Sequence, residues 1–227
     1  MIEVMPTPEE VKQEFFKKKN LDRAIAALQV DGFVAINDVI DHRHLDILRE
    51  KMESDLEKIR ALPIVPHNFV WGNIQQDPPP QASYVFRDVV ANPFVCQVTS
   101  TILGKGSFNN YMSGNSNVPG SQLQPVHVDA GQLWPNLKVA HPVARLAVNL
   151  VLDDTSVENG AIELWPGTHL DTRKAVGQSL PLTEHDLSEQ RAKRAPIPGT
   201  MKKGSFLLRD LRLWHRGTPN TSDATRI

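Results

Sequence analysis

The chain has 227 residues, a net charge of −1 and a sequence pI of about 6.7, with 40% hydrophobic and 22% charged residues. This composition is typical of a soluble globular protein, and the near-neutral charge excludes a broad basic face for nucleic acid or anionic membranes. The single cysteine, Cys96, excludes an internal disulfide and every zinc pattern built on cysteine pairs. Its apolar neighbours predict that Cys96 is buried.

The N-terminus lacks the basic start and the apolar run of a signal peptide. No stretch is apolar enough over 18 residues to predict a transmembrane helix. We therefore expect a cytoplasmic protein with neither a membrane nor a nucleic-acid partner. The composition leaves the oligomeric state open.

The first part of the chain, residues 1–62, is predicted to be mainly helical. Thr7, followed by proline and two glutamates, is typical of a helix N-terminus. Apolar residues recur at helical spacing from Leu21 to Val30, and again after Asp41. Between these two helices, Phe33–Ile36 predicts a short buried strand.

Residues 63–110 are predicted to form a long surface loop and a short helix. From residue 111 to 227 the pattern changes to short apolar segments broken by Gly, Pro and Asn. The clearest strands of this part are Ala144–Leu152, Ala161–Trp165 and Ser205–Leu208. Strands without alternating helices indicate a sandwich or barrel, so we expect one domain over residues 1–227 with its β-rich core in 111–227.

A candidate metal site begins at His127 and Asp129. Both lie in a segment that is expected to be extended, where side chains at positions i and i+2 point to the same face. A second histidine from elsewhere in the chain would complete the set of two histidines and one carboxylate that non-haem iron(II) oxygenases use. This set of protein ligands leaves coordination positions on the metal open. His215, near the end of the chain, is the candidate. Arg226 follows it, and a guanidinium suits the carboxylate of a 2-oxo acid cosubstrate.

These pieces resemble the phytanoyl-CoA dioxygenase family from about Phe33 to the end of the chain. His127-Val128-Asp129, the run from Glu158 to His169, and then His215 and Arg226 occur in the order and at the gaps found in that family. The resemblance implies a double-stranded β-helix, also called a jelly roll or cupin-like fold, that is mostly β with flanking helices. It implies a last strand that would lie beyond Ile227.

The resemblance also implies roles for individual residues. His127, Asp129 and His215 would bind iron(II), and Arg226 would bind 2-oxoglutarate, with O₂ as the second cosubstrate. Asn149 lies where the family places a residue that lines the cosubstrate pocket, and Gln124, shortly before His127, is a second candidate for binding cosubstrate or substrate. The family often has Ser or Thr at the position of Gly217, so one hydrogen bond to the cosubstrate must come from Asn149, Thr225 or another residue. The implied reaction is oxidation, by default hydroxylation, of a small molecule, with release of succinate and CO₂.

The substrate side is predicted from residues near the metal segment and from the amide-rich loop after Pro66. This loop lacks Lys and Arg, which favours a polar, neutral or cationic small molecule over a CoA thioester. It is similar to loops in the antibiotic-tailoring branch of the family, which implies a role in secondary metabolism. The candidate substrate residues are Asn68, Gln75, Gln76, Gln132, Trp134 and Trp165.

Two other functions are compatible with the same fold. Two histidines and a carboxylate can hold zinc in a hydrolase. A jelly roll that keeps these residues can also be a binding protein without catalysis. Arg226 and the family motifs favour the oxygenase, and His169 is expected to stabilise a loop beside the site instead of binding metal.

Overall fold

The computed structural model describes residues 1–173 and 182–227. The helices of this part are α1 (Pro8–Gln13), α2 (Lys18–Val30), α3 (His42–Arg60), α4 (Arg87–Val90), α5 (Pro93–Leu103) and α6 (Glu184–Lys193). The strands are β1 (Glu3–Val4), β2 (Phe33–Ile36), β3 (Asn73–Gln75), β4 (Asn115–Asn117), β5 (Leu146–Leu150), β6 (Glu163–Leu164), β7 (Ile197–Pro198), β8 (Phe206–Asp210) and β9 (His215–Arg216).

The helices α1 and α3 begin at the caps that the sequence predicts, whereas α2 begins at Lys18, before the predicted Leu21. The Thr7 hydroxyl accepts a hydrogen bond from the Glu10 backbone N–H, while the Glu10 carboxylate accepts one from the Thr7 N–H. This reciprocal capping box satisfies two N–H groups that the first turn of α1 leaves free. Asp41 caps α3 in a similar way by accepting from the backbone N–H of Arg43.

The main sheet has the strand order β1-β2-β8-β5, and β8 is antiparallel to both β2 and β5. Side chains alternate between the two faces of β8. Phe206 and Leu208 belong to a core cluster with the helices α2, α3 and α5. Leu207 points the other way, into a second cluster with Phe33 and Leu213. The helices therefore cover one face of the sheet, and the other face lines the interior of the roll.

A second sheet, with strand order β7-β6-β9, lies across this interior, and β3 and β4 form a separate antiparallel pair. In the second sheet Leu164 of β6 is the register partner of His215 of β9. Leu164 is completely buried and belongs to the same interior cluster as Leu207. The start of β9 is thereby placed against the interior of the roll.

The turn between α2 and β2 requires a glycine at position 32. Gly32 has φ +86°, and a Cβ atom there would lie 2.6 Å from Nδ1 of His169 and 2.9 Å from Cδ1 of Leu213. No real Cβ atom makes such contacts, and residues with side chains rarely adopt that backbone conformation. His169 therefore packs directly on the turn, and its Nε2 lies 3.2 Å from the Gln29 carbonyl.

Two expectations from the sequence are wrong in detail. Cys96 is exposed, because it lies on the side of α5 that faces away from the core formed by Phe94, Val95 and Val98. The stretch 63–110, expected as a loop and a short helix, also contains β3, whose backbone pairs with β4. Within the described residues, no helix has the length and apolar character needed to cross a membrane.

Candidate metal centre

Two chain segments that are far apart in sequence pair through their backbones at His127 and His215. The His127 N–H donates to the His215 carbonyl, and the His215 N–H donates to the His127 carbonyl, both at 3.0 Å. Farther along, the Asp129 N–H donates to the Leu211 carbonyl at 3.0 Å. The segment around His127 is extended as predicted, although it forms this isolated bridge instead of a regular strand.

This pairing brings three potential ligand atoms together. Nε2 of His127 lies 3.8 Å from Oδ1 of Asp129, and Nε2 of His215 lies 3.5 Å from the same oxygen. One ligand atom from each of the three residues lies within 4.8 Å of the others. The two histidine side chains are nearly buried, whereas the Asp129 side chain is 34% exposed. The centre is therefore accessible from solvent on the carboxylate side.

Both imidazole rings are held in the orientation that metal binding requires. Nδ1 of His127 lies 2.9 Å from the Pro125 carbonyl, and Nδ1 of His215 lies 3.0 Å from the Leu213 carbonyl. A carbonyl can only accept, so each Nδ1 carries the proton and each Nε2 has a free lone pair in the neutral ring. Such outer contacts fix the tautomer of metal-binding histidines.

The electrostatics of the site also favour the forms that bind metal. Burial, together with the charge of Arg209, lowers the pKa of His215 to about 3, and burial lowers the pKa of His127 as well. Burial alone would raise the pKa of Asp129, but the charge of Arg209 and its hydrogen bond to the carboxylate contribute to lowering the pKa instead. At neutral pH the site therefore offers two neutral imidazoles and a carboxylate anion. This donor set fits a divalent transition metal such as iron(II).

Sequence reasoning missed Arg209, which is buried on the interior face of β8. Its Nη2 lies 2.6 Å from Oδ2 of Asp129, and its Nε donates to Oδ1 of Asn149 at 3.0 Å. A signal was present in the sequence, because Arg209 directly follows the three apolar residues that end the predicted strand Ser205–Leu208.

Arg226 lies at the end of a different backbone pairing. Its N–H donates to the Asn117 carbonyl at 3.0 Å and its carbonyl accepts from the Asn117 N–H at 2.7 Å, which extends the register of β4. The side chain donates from Nε to the Asn159 carbonyl at 3.2 Å. Burial lowers the pKa of this guanidinium, and it has no carboxylate within ion-pair distance in the described part of the chain.

The two other predicted cosubstrate residues have protein partners. Asn149 accepts from Arg209, as described above. The side-chain carbonyl of Gln124 accepts from the Gly217 N–H at 2.7 Å, and its amide donates to the Asn68 carbonyl at 3.1 Å. A Cβ atom at Gly217 would lie 2.8 Å from Oε1 of Gln124. Gln124 therefore occupies the space that a Ser or Thr at this position would need.

The predicted substrate residues fall into two groups. Gln76, Gln132 and Trp165 are buried, and each bonds within the protein: Gln76 to Met52 and Ser116, Gln132 to His169, Asp171 and Arg212, and Trp165 to Glu163. Because these three side chains are buried and hydrogen-bonded within the protein, they are not available to contact a substrate. Trp134 and Gln75 are exposed, and Asn68 is half-buried.

The loop that carries Asn68 also reaches the metal centre, because Phe69 lies against His127. Phe69 and Trp71 are each 52% exposed, so the aromatic residues of this loop are not part of the core. Phe69 has φ +65°, a left-handed conformation that is uncommon for residues other than glycine. The loop is fixed by Gln124, which joins it to the segment of the metal ligands.

Comparison with known proteins agrees with this geometry. The family described as phytanoyl-CoA dioxygenase (PhyH) matches residues 28–227, which is most of the chain, and the protein belongs to this family. Membership defines the protein as a 2-oxoglutarate-dependent non-haem iron dioxygenase. The predicted enzyme class and its cosubstrates, iron(II), 2-oxoglutarate and O₂, are thereby confirmed.

Several solved structures have a similar fold. SnoK, a non-heme alpha ketoglutarate dependent carbocyclase from nogalamycin biosynthesis, matches with a TM-score of 0.69 and 19% identity over 97% of this chain and 83% of SnoK. EctD from S. alaskensis, solved with 2-oxoglutarate and 5-hydroxyectoine, matches with a TM-score of 0.68 and 18% identity over 98% of this chain and 79% of EctD. AviO1 from Streptomyces viridochromogenes matches with a TM-score of 0.60 and 18% identity over 93% of each chain. At these identities the likeness concerns the fold, and the predicted jelly roll is confirmed.

Proposed function

We propose that the protein oxidises a small molecule of secondary metabolism, by default through hydroxylation, at an iron(II) ion bound by His127, Asp129 and His215. The observation that carries the proposal is the convergence of three ligand atoms within 4.8 Å, with both imidazole Nδ1 atoms bonded to backbone carbonyls. Bound iron(II) with 2-oxoglutarate supplies the activation of O₂ that places one oxygen atom on a substrate C–H bond and releases succinate and CO₂.

The protein's own contribution is to hold and orient these components. Arg226 is proposed to bind the distal carboxylate of 2-oxoglutarate, because its desolvated charge forms no close ion pair among the described residues and Asp153 acts on it only through its charge at longer range. Gln124 and Asn149 are proposed to line the cosubstrate pocket. Gln124 is held there by its contacts with Gly217 and Asn68, and Asn149 by its contact with Arg209. We propose no side-chain general base, because the bound metal and cosubstrate would supply the oxidising chemistry.

The substrate is proposed to be a polar, neutral or cationic small molecule. Phe69 contacts a metal ligand while half of its surface is open to solvent, which suits a residue at the mouth of a pocket. The loop from Pro66 to Asp77 contributes amides and aromatic rings but no Lys or Arg, which favours such a molecule over the phosphates of a coenzyme A thioester. A cytoplasmic location stays a prediction.

The proposal is tested by adding iron(II) and 2-oxoglutarate to the purified protein without oxygen. We expect a weak visible charge-transfer band that His215→Ala and Asp129→Ala lose. A succinate-release screen against polar small molecules and acyl-CoA thioesters then identifies the substrate class. A wild-type protein that binds zinc but gives no band with iron would contradict the proposal and favour a hydrolase. Absence of any metal binding would favour a binding protein without catalysis.

A further inference from the structure

The two oxygens of the Asp129 carboxylate have different surroundings. Oδ1 faces Nε2 of His127 and of His215 at 3.8 and 3.5 Å. Oδ2 is paired with Nη2 of Arg209 at 2.6 Å. A carboxylate can bind a metal through one oxygen or through both, and the arginine leaves only Oδ1 directed at the two imidazoles.

Arg209 is itself held firmly in place. It lies on β8, which is one of the two central strands of the main sheet, and its side chain is 7% exposed. Its Nε donates to Asn149, on the neighbouring strand β5. A planar guanidinium fixed at Nε cannot swing away from Asp129 without breaking that bond. Nη1 is buried and has no hydrogen-bond partner within residues 1–173 and 182–227, so its two N–H groups remain for ligand oxygens.

We propose that Arg209 is a positioning residue that restricts Asp129 to one-oxygen metal binding and thereby keeps a coordination position free for 2-oxoglutarate. This inference rests on the proposed metal site. Three protein atoms leave enough positions for a chelating cosubstrate and O₂, whereas a fourth protein atom from Oδ2 would compete with the cosubstrate. Without Arg209 the carboxylate is free to turn and supply that fourth atom.

The test compares Arg209→Met, Arg209→Lys and Arg216→Met. Methionine fills a similar volume without charge or donors, and lysine keeps one charged contact to Oδ2. Arg216 is the matched control, because it is also a mostly buried arginine paired with a carboxylate, at 2.8 Å from Glu163, and it follows the ligand His215 directly. Glu163 is not a metal ligand, so this control reports the loss of a buried ion pair alone.

Two measurements on each variant distinguish an effect on metal binding from an effect on 2-oxoglutarate binding. With cobalt(II) alone, the visible absorption spectrum reports the coordination of the metal, and its titration gives the metal affinity. With iron(II) and no oxygen, the charge-transfer band gives the 2-oxoglutarate concentration at half saturation. For Arg209→Met we expect an altered cobalt spectrum and a rise of about tenfold or more in that concentration, the size typical of changes behind a metal ligand. The metal affinity should change by less.

Arg209→Lys should recover most of the 2-oxoglutarate affinity and the wild-type cobalt spectrum, and Arg216→Met should leave both unchanged. If Arg209→Met keeps the wild-type spectrum and half-saturation concentration, or shifts metal and cosubstrate binding by the same factor, the inference is wrong. A wild-type protein without any band would instead contradict the proposed function. If Arg209→Met does not fold, the lysine variant carries the test, because complete loss of cosubstrate binding with lysine would also overturn the inference.

Discussion

The ring of Phe69 lies against the ring of His127, with centroids 4.4 Å apart and an angle of 32° between the planes. Phe69 holds this position with a left-handed backbone conformation, φ +65°. Residues with side chains pay roughly 1–2 kcal/mol for that conformation, and such strain is often found at functional sites. The loop therefore keeps an aromatic side chain next to a metal ligand against a local conformational preference.

This strain predicts an unusual order of stability for two variants. Phe69→Gly should have a free energy of unfolding about 1 kcal/mol higher than Phe69→Ala, because only glycine adopts φ +65° without penalty. Trp71, which is equally exposed and has a negative φ, is the control: there the alanine variant should be the more stable one. Urea unfolding of the four variants measures both differences. The same order at both positions would contradict the assignment of strain.

Arg226 predicts opposite effects on cosubstrate binding and on stability. Arg226→Met should raise the half-saturation concentration of 2-oxoglutarate at least about tenfold, because a charged hydrogen-bonded pair with the distal carboxylate is lost. In the absence of 2-oxoglutarate the same change should stabilise the fold, since it removes a desolvated charge that has no ion-pair partner among the described residues. Anaerobic titration and thermal unfolding measure the two effects. A less stable protein with normal 2-oxoglutarate binding would assign Arg226 a structural role.

The buried histidines predict that acid destabilises the metal-free protein. The pKa of His215 falls to about 3 in the folded state, from an ordinary value of 6.5, and the pKa of His169 is also lowered by burial. Below pH 6.5 the unfolded chain therefore binds protons that the folded chain does not, and stability falls as the pH falls. For His215 this loss continues down to about pH 3.

Urea unfolding between pH 7.5 and pH 4.5 measures this dependence. His169→Gln should show a shallower fall, because it removes one of the buried imidazoles while the glutamine amide can donate to the Gln29 carbonyl from the position of the ring Nε2. Stability that rises as the pH is lowered from 7.5 to 5 would mean that the histidines gain protons on folding, contrary to the shifts described.

Two of the three candidate metal ligands could be recognised in the sequence because their pattern is local. His127 and Asp129 lie two positions apart in an extended segment, and backbone alternation alone places them on one face. The helices α1, α2 and α3 were also predictable, since caps and apolar spacing act within a few residues. The pairing of His127 with His215 joins distant segments, and only the family motifs indicated it.

The surroundings of the ligands were less predictable because they depend on distant contacts. Gln76 and Gln132 have the residue type of ligand-binding amides, yet partners from other elements use both ends of each side chain. A glutamine does not reveal from its own position whether a carbonyl will lie beside it. Arg209 was missed for a similar reason, since its partner Asp129 belongs to another segment.

The two histidines of the proposed metal site are oriented in the same way, because each ring donates to the carbonyl of the residue two positions earlier. Main-chain carbonyls are present whatever residue occupies those positions. Substitutions at Pro125 and Leu213, whose carbonyls accept these hydrogen bonds, can therefore accumulate during evolution without altering which nitrogen of each ring is free. A homologue that keeps only the ligands and the backbone path of these two segments should still orient both imidazoles toward a common ion.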